Sequence, residues 1–254
     1  MTTVLLYHDV IDRAACDDVG FPGPLAARYK LDPLLFAAHL EAIAAARVRI
    51  GFLGDAPPPD VALSFDDAGA SATAVASLLE RQGWRGYFFV PTARIGTRGF
   101  LDRFALRELI ERGHRIGSHS HTHPTYMGLL SRHELDDEWR RSRDVLAGIL
   151  GDRPEIASVP GGFLSRSVIE SAAGCGYRVL MTSEPTTSVK SVDGMVVVGR
   201  YGIWSATSAR HAAAYARGEF GPRARLWLEW RAKRTAKRVS PRAYQTLRRL
   251  RTRL

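Results

Sequence analysis

The sequence has little cysteine and no long apolar run. Its 254 residues include two cysteines, Cys16 and Cys175, too few for a disulfide framework and without the spacing of a cysteine metal site. No apolar run approaches the ~18 residues that cross a bilayer. The first ten residues also lack the basic start of a secretory signal. These absences exclude a disulfide-rich scaffold and a polytopic membrane protein, and they predict a cytoplasmic protein.

Acidic side chains are almost missing from one end of the chain. The net charge is +10, but residues 222–254 hold twelve Lys and Arg against one Glu, a net +11, and residues 1–221 carry −1. The high isoelectric point therefore comes from the tail. A basic surface that binds nucleic acid over the whole fold is not expected. We predict a catalytic domain over 1–221 and a basic amphipathic helical tail over 222–254, divided near Ser240-Pro241.

Three interpretations of the basic tail stay open at this point. It could pack on the domain with its cationic face in water. It could lie peripherally on anionic lipid, with Trp and Leu below and Arg above. It could also bind nucleic acid or another acidic polymer.

Short apolar runs alternate with helical patterns about seven times. The runs cover residues 4–7, 61–65, 86–90, 115–117, 156–159, 178–181 and 195–198. Such alternation predicts an α/β fold with a parallel sheet and helices outside it, as an open sheet or a closed barrel. Both architectures bind ligands at the carboxyl ends of the strands.

Two groups of chemically active side chains follow two of these strands. Asp66 and Asp67 come directly after residues 61–65, and adjacent carboxylates repel each other unless a cation relieves them. His119, His121 and His123 come directly after residues 115–117. One carboxylate and two imidazoles leave an open position on a metal ion, as in catalytic zinc sites, and Mn, Fe or Co could use the same ligands. An Asp pair alone is more often a turn or a helix cap, and histidines can cluster on a surface, but both groups at strand ends predict a metal site.

These residues resemble the signature motifs of polysaccharide deacetylases, which form carbohydrate esterase family 4 and contain the NodB homology domain. The resemblance rests on Phe65-Asp66-Asp67 and on the segment from His119 to Pro124, approached through residues 113–118, and it covers roughly residues 3–205. It implies a distorted (β/α) barrel of about seven parallel strands and an N-deacetylase activity on amino sugars.

The resemblance also implies individual roles. Asp67, His119 and His123 correspond to the ligands of a divalent metal, with zinc expected first and Co, Ni, Mn or Fe as alternatives. Asp66 corresponds to the general base that takes a proton from water. His121 matches a variable position and is not expected to be a ligand.

The chain departs from the family at its third motif, Arg-x-Pro-Tyr-Gly. Ser158 stands at the arginine position and Gly161 at the tyrosine position. A backbone N–H at Gly161 could still stabilise an oxyanion, but Ser158 cannot replace the arginine that orients the base. Arg200 could substitute for it, although a surface arginine is the more common interpretation. Ala68 also stands where the family commonly has glycine.

In many family members a late Leu-x-His motif supplies the general acid that protonates the leaving amine. This sequence has no such motif. Instead, Tyr7-His8 after the first strand resembles the N-terminal Tyr-His motif of the branch that includes biofilm poly-N-acetylglucosamine deacetylases. We therefore nominate His8 as the general acid, with Asp9 as a residue that could orient it. A loop histidine is the structural alternative. Trp204 could line the cleft for a sugar ring or belong to the core.

Together these observations predict a metal-dependent hydrolase that removes an N-acetyl group from an amino sugar in a glycan or a lipid-linked glycan. It would act in the cytoplasm or at the inner membrane face. Two alternatives remain: an amide hydrolase of the same superfamily acting on a small non-sugar amide, and a non-catalytic glycan- or membrane-binding protein. The presence of Asp66 argues against the second, because a binding protein needs no base.

Overall fold

The structure is a computed structural model that describes residues 1–162 and 164–239, with backbone alone for 236–239. It contains one sheet of nine strands flanked by helices. The strands are β1 (Thr3–Tyr7), β2 (Val61–Phe65), β3 (Tyr87–Val90), β4 (Arg115–Ser118), β5 (Ile156–Ser158), β6 (Val179–Met181), β7 (Val189–Val192), β8 (Met195–Val198) and β9 (Tyr201–Gly202).

Eight helices follow these strands or connect them within the described residues. They are α1 (Pro24–Ala27), α2 (Pro33–Ala45), α3 (Ala72–Arg81), α4 (Arg103–Glu111), α5 (Arg132–Leu150), α6 (Arg166–Gly174), α7 (Ala209–Arg217) and α8 (Phe220–Val239).

The strand order is β7-β8-β6-β5-β4-β3-β2-β1-β9. All neighbours pair in parallel except β7, which pairs antiparallel with β8. This curled, mostly parallel half-barrel confirms the predicted α/β class. Because β1 to β6 run in the same direction, the loops that follow them meet at one edge of the sheet.

The central strands form because their sequences are apolar throughout. All five residues of β2 are buried, as are all five of β1, which is typical of parallel strands covered on both faces. Helix α5 begins at a Ser131 cap that accepts from the Glu134 N–H while the Glu134 side chain accepts from the Ser131 N–H, the predicted capping box.

The structure adds two strands, β7 and β9, to the seven that the apolar runs predicted. Strand β7 has three exposed residues of four, so it lacks the apolar run that marks a buried strand. Strand β9 has two residues, too few for any periodicity. Both lie at the edges of the sheet, where pairing needs little burial.

Helix α8 confirms that the start of the basic tail is helical. It contacts the domain through Leu226, which packs on the core, and through Arg223, whose guanidinium lies 4.7 Å from the ring centre of Tyr201. None of the described helices is long and apolar enough to cross a membrane. The predicted break at Ser240-Pro241 lies outside the described residues. The division of the chain at 221/222 stays a prediction, since α8 itself runs across that point.

Candidate metal centre and its neighbours

Three predicted ligands converge at the carboxyl edge of the sheet. Asp67 follows β2, and His119 and His123 follow β4. One ligand atom of each lies within 4.8 Å of the others. Asp67 Oδ1 is 3.5 Å from His119 Nε2 and 3.3 Å from His123 Nε2. Three donors facing one small volume are the arrangement that an open metal site requires.

The donor set fits a divalent metal chemically. Asp67 Oδ1 is buried and has no well-aligned hydrogen bond within the described part of the chain, although both imidazoles lie near it. His119 Nδ1 lies 3.0 Å from the Ser158 carbonyl oxygen, and a carbonyl can only accept. The proton of a neutral His119 is therefore on Nδ1, and Nε2 presents a lone pair to the site.

Protonation favours ligation at neutral pH for two of the ligands. Burial lowers the pKa of His119 to about 4, against the opposing effect of Asp66. Burial alone would raise the pKa of Asp67, but His123, His8 and His119 outweigh it and lower it well below its usual range. Burial alone would lower the pKa of His123, but the nearby carboxylate of Asp67 outweighs it and raises that pKa.

Backbone strain is concentrated in the two motifs. Asp67 (φ 72°), Ala68 (φ 44°), Ser120 (φ 63°) and His123 (φ 61°) are four of the six non-glycine residues with positive φ in the described chain. Such conformations cost about 1–3 kcal/mol each and persist where the surroundings enforce them. Ala68 therefore adopts the left-handed conformation that a glycine would adopt with less strain.

Glu138 of α5 is one of the groups that hold the histidine segment in place. Its Oε2 accepts from the N–H groups of His121 and Thr122, both at 2.8 Å, and its Oε1 accepts from the Thr122 hydroxyl at 2.5 Å. The imidazole of His121 lies against the Thr92 hydroxyl at 2.9 Å, away from the metal ligands, as expected. Sequence reasoning missed Glu138, because a glutamate on a polar helix has no local feature that sets it apart.

Arg200 lies beside Asp66, and the surface interpretation of this arginine is wrong. Its side chain is 1% exposed. Nη1 and Nη2 donate to the two oxygens of Asp66 at 2.7 and 2.8 Å, a bidentate pair. Arg200 also donates to the Thr182 carbonyl, Ser64 and Ser158, so all five of its N–H groups are used.

Ser158, at the family's arginine position, takes part in this network. Its Oγ accepts from Arg200 at 2.6 Å and donates to Asp66 Oδ2 at 3.0 Å. A small hydroxyl here leaves room for a guanidinium that arrives after β8. Burial would raise the pKa of Asp66, but Arg200 and His119 outweigh it and lower it, so Asp66 is ionised at neutral pH.

His8 lies near the carboxylates, but Asp9 does not orient it. The pKa of His8 is lowered by burial, against the attraction of Asp67 and Asp66, and its ring stacks on Tyr29 at 4.6 Å between ring centres. His8 Nδ1 has no hydrogen-bond partner among residues 1–162 and 164–239. Asp9 Oδ1 accepts instead from the Ser71 hydroxyl at 2.8 Å.

Gly161 lies in a short turn, Pro160–Gly162, that follows β5. Its φ of 63° and ψ of −2° are left-handed, a conformation that glycine adopts without the strain of a side chain. The tyrosine of the family motif is thus replaced at a position where backbone freedom is needed. The role of the Gly161 N–H as an oxyanion donor stays a prediction.

The fold and the candidate site together define a class of protein. A curled parallel sheet with one carboxylate and two imidazoles at its strand ends is an α/β protein with a candidate three-ligand metal centre. The family model "Polysaccharide deacetylase" matches residues 54–180, half of the chain, and the chain belongs to that family. Polysaccharide deacetylases are amide hydrolases, so the chain is an enzyme that removes acetyl groups from sugars.

Solved structures share the fold at low sequence identity. A polysaccharide deacetylase from Bacillus cereus is 16% identical, with a TM-score of 0.72, and the match covers 85% of this chain and 68% of that one. IcaB from Ammonifex degensii is 20% identical, with a TM-score of 0.70 and coverages of 85% and 97%. A de-N-acetylase from Aggregatibacter actinomycetemcomitans is 19% identical, with a TM-score of 0.69 and coverages of 82% and 96%. No curated protein matches the chain.

The Asp66–Arg200 pair predicts a specific pattern of stability changes. Arg200→Met leaves a buried carboxylate without its cation, which we expect to lower the free energy of unfolding by about 3–5 kcal/mol. Asp66→Asn in the same chain removes the stranded charge, so the double variant should recover part of that loss. Chemical denaturation of the wild type, the two single variants and the double variant measures the cycle. A loss in the double variant equal to the sum of the two single losses would show that the two side chains are not coupled.

The ligand pKa values predict how metal affinity depends on pH. The raised pKa of His123 means that this imidazole holds its proton to a higher pH than usual, and a metal must displace that proton. Metal affinity should therefore fall as the pH falls through that pKa, by about tenfold per pH unit for one released proton. Calorimetric zinc titrations between pH 5.5 and 8 measure it. His121→Ala should leave affinity unchanged, whereas His123→Ala should lower it at least tenfold; equal effects of the two variants would contradict the ligand assignment.

Proposed function

We propose that this chain is a metal-dependent N-deacetylase that hydrolyses the acetamido group of an amino sugar in a glycan or a lipid-linked glycan. The observation that carries the proposal is the convergence of Asp67, His119 and His123 beside the ionised Asp66. These groups follow β2 and β4, which lie on either side of β3 and end at the same edge of the sheet. Three ligands with a carboxylate next to them suit the hydrolysis of an amide by activated water.

Asp67, His119 and His123 would hold the metal. When bound there, a divalent metal makes water more acidic and polarises the carbonyl of the substrate. Zinc suits one carboxylate and two imidazoles, and Co, Ni, Mn or Fe can use the same donors.

Asp66 would accept the proton of the attacking water. A carboxylate oxygen has two lone pairs. Oδ2 accepts from both Arg200 and Ser158, whereas Oδ1 accepts from Arg200, which leaves Oδ1 a lone pair for that proton. The arginine lowers the basicity of Asp66 but keeps it ionised and fixed in direction, so it is available as an acceptor at neutral pH.

His8 is proposed to protonate the leaving amine, and Gly161 to donate its N–H to the developing oxyanion. The lowered pKa of His8 means that it must gain its proton during the reaction, and the negative charges of Asp66 and Asp67 near it favour that gain. The likeness of Tyr7-His8 to the N-terminal motif of the poly-N-acetylglucosamine deacetylase branch supports this assignment.

Asp66→Asn tests the base directly. We expect a fall in kcat of about 100-fold or more on N-acetylglucosamine oligomers, measured as acetate released, with zinc content unchanged because Asp66 is outside the ligand set. The Asn side chain keeps the shape of Asp66 but accepts no proton from water. Asp60→Asn is the matched control. It makes the same substitution at an exposed carboxylate and should leave kcat unchanged.

Two results would contradict this proposal. An Asp66→Asn variant with the kcat of the wild type would exclude Asp66 as the base. A wild-type protein that releases no acetate from any N-acetylated amino sugar with saturating zinc, cobalt or nickel would exclude the carbohydrate substrate and favour the small-amide or binding alternatives.

We further propose that helix α8 brings the enzyme to an anionic membrane surface, at the inner face of the membrane. Phe220 and Leu228 are 86% and 60% exposed. The guanidinium groups of Arg231 and Arg234 lie 5.0 and 5.1 Å from the ring centres of Trp227 and Trp230. Apolar and cationic side chains mixed on one exposed helix suit the boundary between anionic headgroups and acyl chains.

Charge removal on α8 tests this surface without unpacking the helix. The triple variant R225Q/R231Q/R234Q should lower pelleting with phosphatidylglycerol vesicles at least fivefold, since each basic residue near such a surface contributes about 1 kcal/mol. The control R141Q/R166Q/R178Q removes the same charge from exposed residues elsewhere on the fold and should pellet like the wild type. Equal pelleting of the two variants would exclude α8 as the contact.

A further inference from the structure

A cavity lies beside the candidate metal centre and is not used by the proposed chemistry. It has a volume of about 570 Å³, and its lining includes Phe21, Arg94, Arg98 and Phe100. Arg94 ends a short turn, Thr92–Arg94, that follows β3. The cavity therefore opens at the same edge of the sheet as the ligands.

Direct contacts join this cavity to the histidine segment. The ring of Phe21 packs on His123 with 4.6 Å between ring centres. The N–H groups of Thr92 and Ala93 donate to the carbonyls of Ser120 and His121 at 3.2 and 2.9 Å. A group bound in the cavity would therefore be separated from a metal ligand by one aromatic ring.

The walls of the cavity are fixed by the fold. The buried ammonium of Lys30 donates to the carbonyls of Cys16, Val19 and Phe21 at 2.6, 2.5 and 2.7 Å, which holds the loop that carries Phe21. The Gly20 N–H donates to the Gly99 carbonyl at 2.7 Å, which ties that loop to the opposite wall. Such a preformed site costs little ordering when a ligand binds.

Arg94 has no anionic partner in the part of the chain that the structure describes. Its guanidinium lies over Phe21 and Phe100, 5.3 and 6.0 Å from the ring centres, and its edge faces solvent. Arg98, in the same cavity, differs because it pairs with Asp18 at 2.9 Å. The remaining carboxylate, Asp17, accepts from the Gly23 N–H at 2.8 Å and closes the loop.

We propose that this cavity is a substrate subsite for a carboxylate or phosphate group on the glycan, and that Arg94 selects substrates that carry one. A guanidinium beside two aromatic rings can present its N–H groups as a fork that matches either anion. The rings of Phe21 and Phe100 offer apolar faces to the sugar that bears the anion. This inference rests on the proposed deacetylase function and narrows its substrate class to anionic glycans.

Substrate preference tests the subsite. Acetate release is compared on a neutral N-acetylglucosamine oligomer, an oligomer containing N-acetylmuramic acid as the carboxylate, and N-acetylglucosamine 1-phosphate as the phosphate. The wild type should show at least a tenfold higher kcat/KM on one anionic substrate than on the neutral oligomer, and the substrate with the higher value identifies the anion.

Two matched variants assign that preference to Arg94. Arg94→Gln should lower kcat/KM on the preferred anionic substrate about 10- to 100-fold, mainly through KM, and change the neutral oligomer less than twofold. Arg103→Gln removes the same charge from an exposed residue outside the cavity and should change both less than threefold. A neutral oligomer preferred by the wild type, or an equal loss on both substrates in Arg94→Gln, would overturn the subsite.

Calorimetric binding of the same three sugars to Asp66→Asn separates this inference from the proposed function. Tighter binding of an anionic sugar that is lost in Asp66→Asn/Arg94→Gln would support the subsite even if the wild type releases no acetate. Equal binding of anionic and neutral sugars would exclude the subsite even if the wild type is an active deacetylase.

Discussion

Two adjacent carboxylates at the end of β2 impose the constraint on which the site is built. Asp66 and Asp67 are mostly buried, and neighbouring charges of one sign in a low-dielectric setting are costly unless each has a cation. Arg200 satisfies Asp66 through a bidentate pair. Asp67 faces two imidazoles instead, and burial keeps His119 neutral at ordinary pH. A divalent metal bound there would neutralise Asp67 whenever the two imidazoles are uncharged.

The strained backbone fits the same constraint. Asp67 and His123 both have positive φ, so the chain adopts costly conformations at the points where it aims ligand atoms inward. Glu138 and the Ser158 carbonyl hold the histidine segment from outside. Preorganised ligands of this kind need little rearrangement when an ion binds, which matters more for catalysis than for stability.

The segment between β1 and α2, residues 8–32, contributes aromatic side chains near the candidate metal centre. Its Tyr29 contacts His8 and Trp204, at 4.6 and 4.7 Å between ring centres. Trp204 is half-buried, and its place in a sugar cleft stays a prediction. Phe21, earlier in the same segment, packs on His123. Aromatic rings of this segment therefore contact both His8 and His123, and the face of a sugar ring packs well against such rings.

Sequence patterns were sufficient for features that depend on neighbours along the chain. Apolar runs located β1 to β6 and β8. The residues that follow β2 and β4 gave the candidate ligands, which converge because parallel strands bring their carboxyl ends together. Arg200 was not assigned in this way: its bond to Asp66 spans 134 residues, and no local spacing distinguishes a buried arginine from a surface one. The sequence contains one indication of this role for Arg200, which is that Ser158 replaces the family arginine. That indication becomes informative once the structure shows that Ser158, at the end of β5, contacts Arg200, which follows β8.

A crystal of the protein grown with zinc, with data collected on both sides of the zinc absorption edge, provides the decisive measurement. One anomalous peak should lie at about 2.0–2.2 Å from a carboxylate oxygen of Asp67 and from the Nε2 atoms of His119 and His123, with Asp66 still bonded to Arg200 and outside the ligand shell. A zinc ion bound elsewhere, or bound by Asp66 with Arg200 displaced, would contradict the arrangement on which the proposed hydrolysis depends.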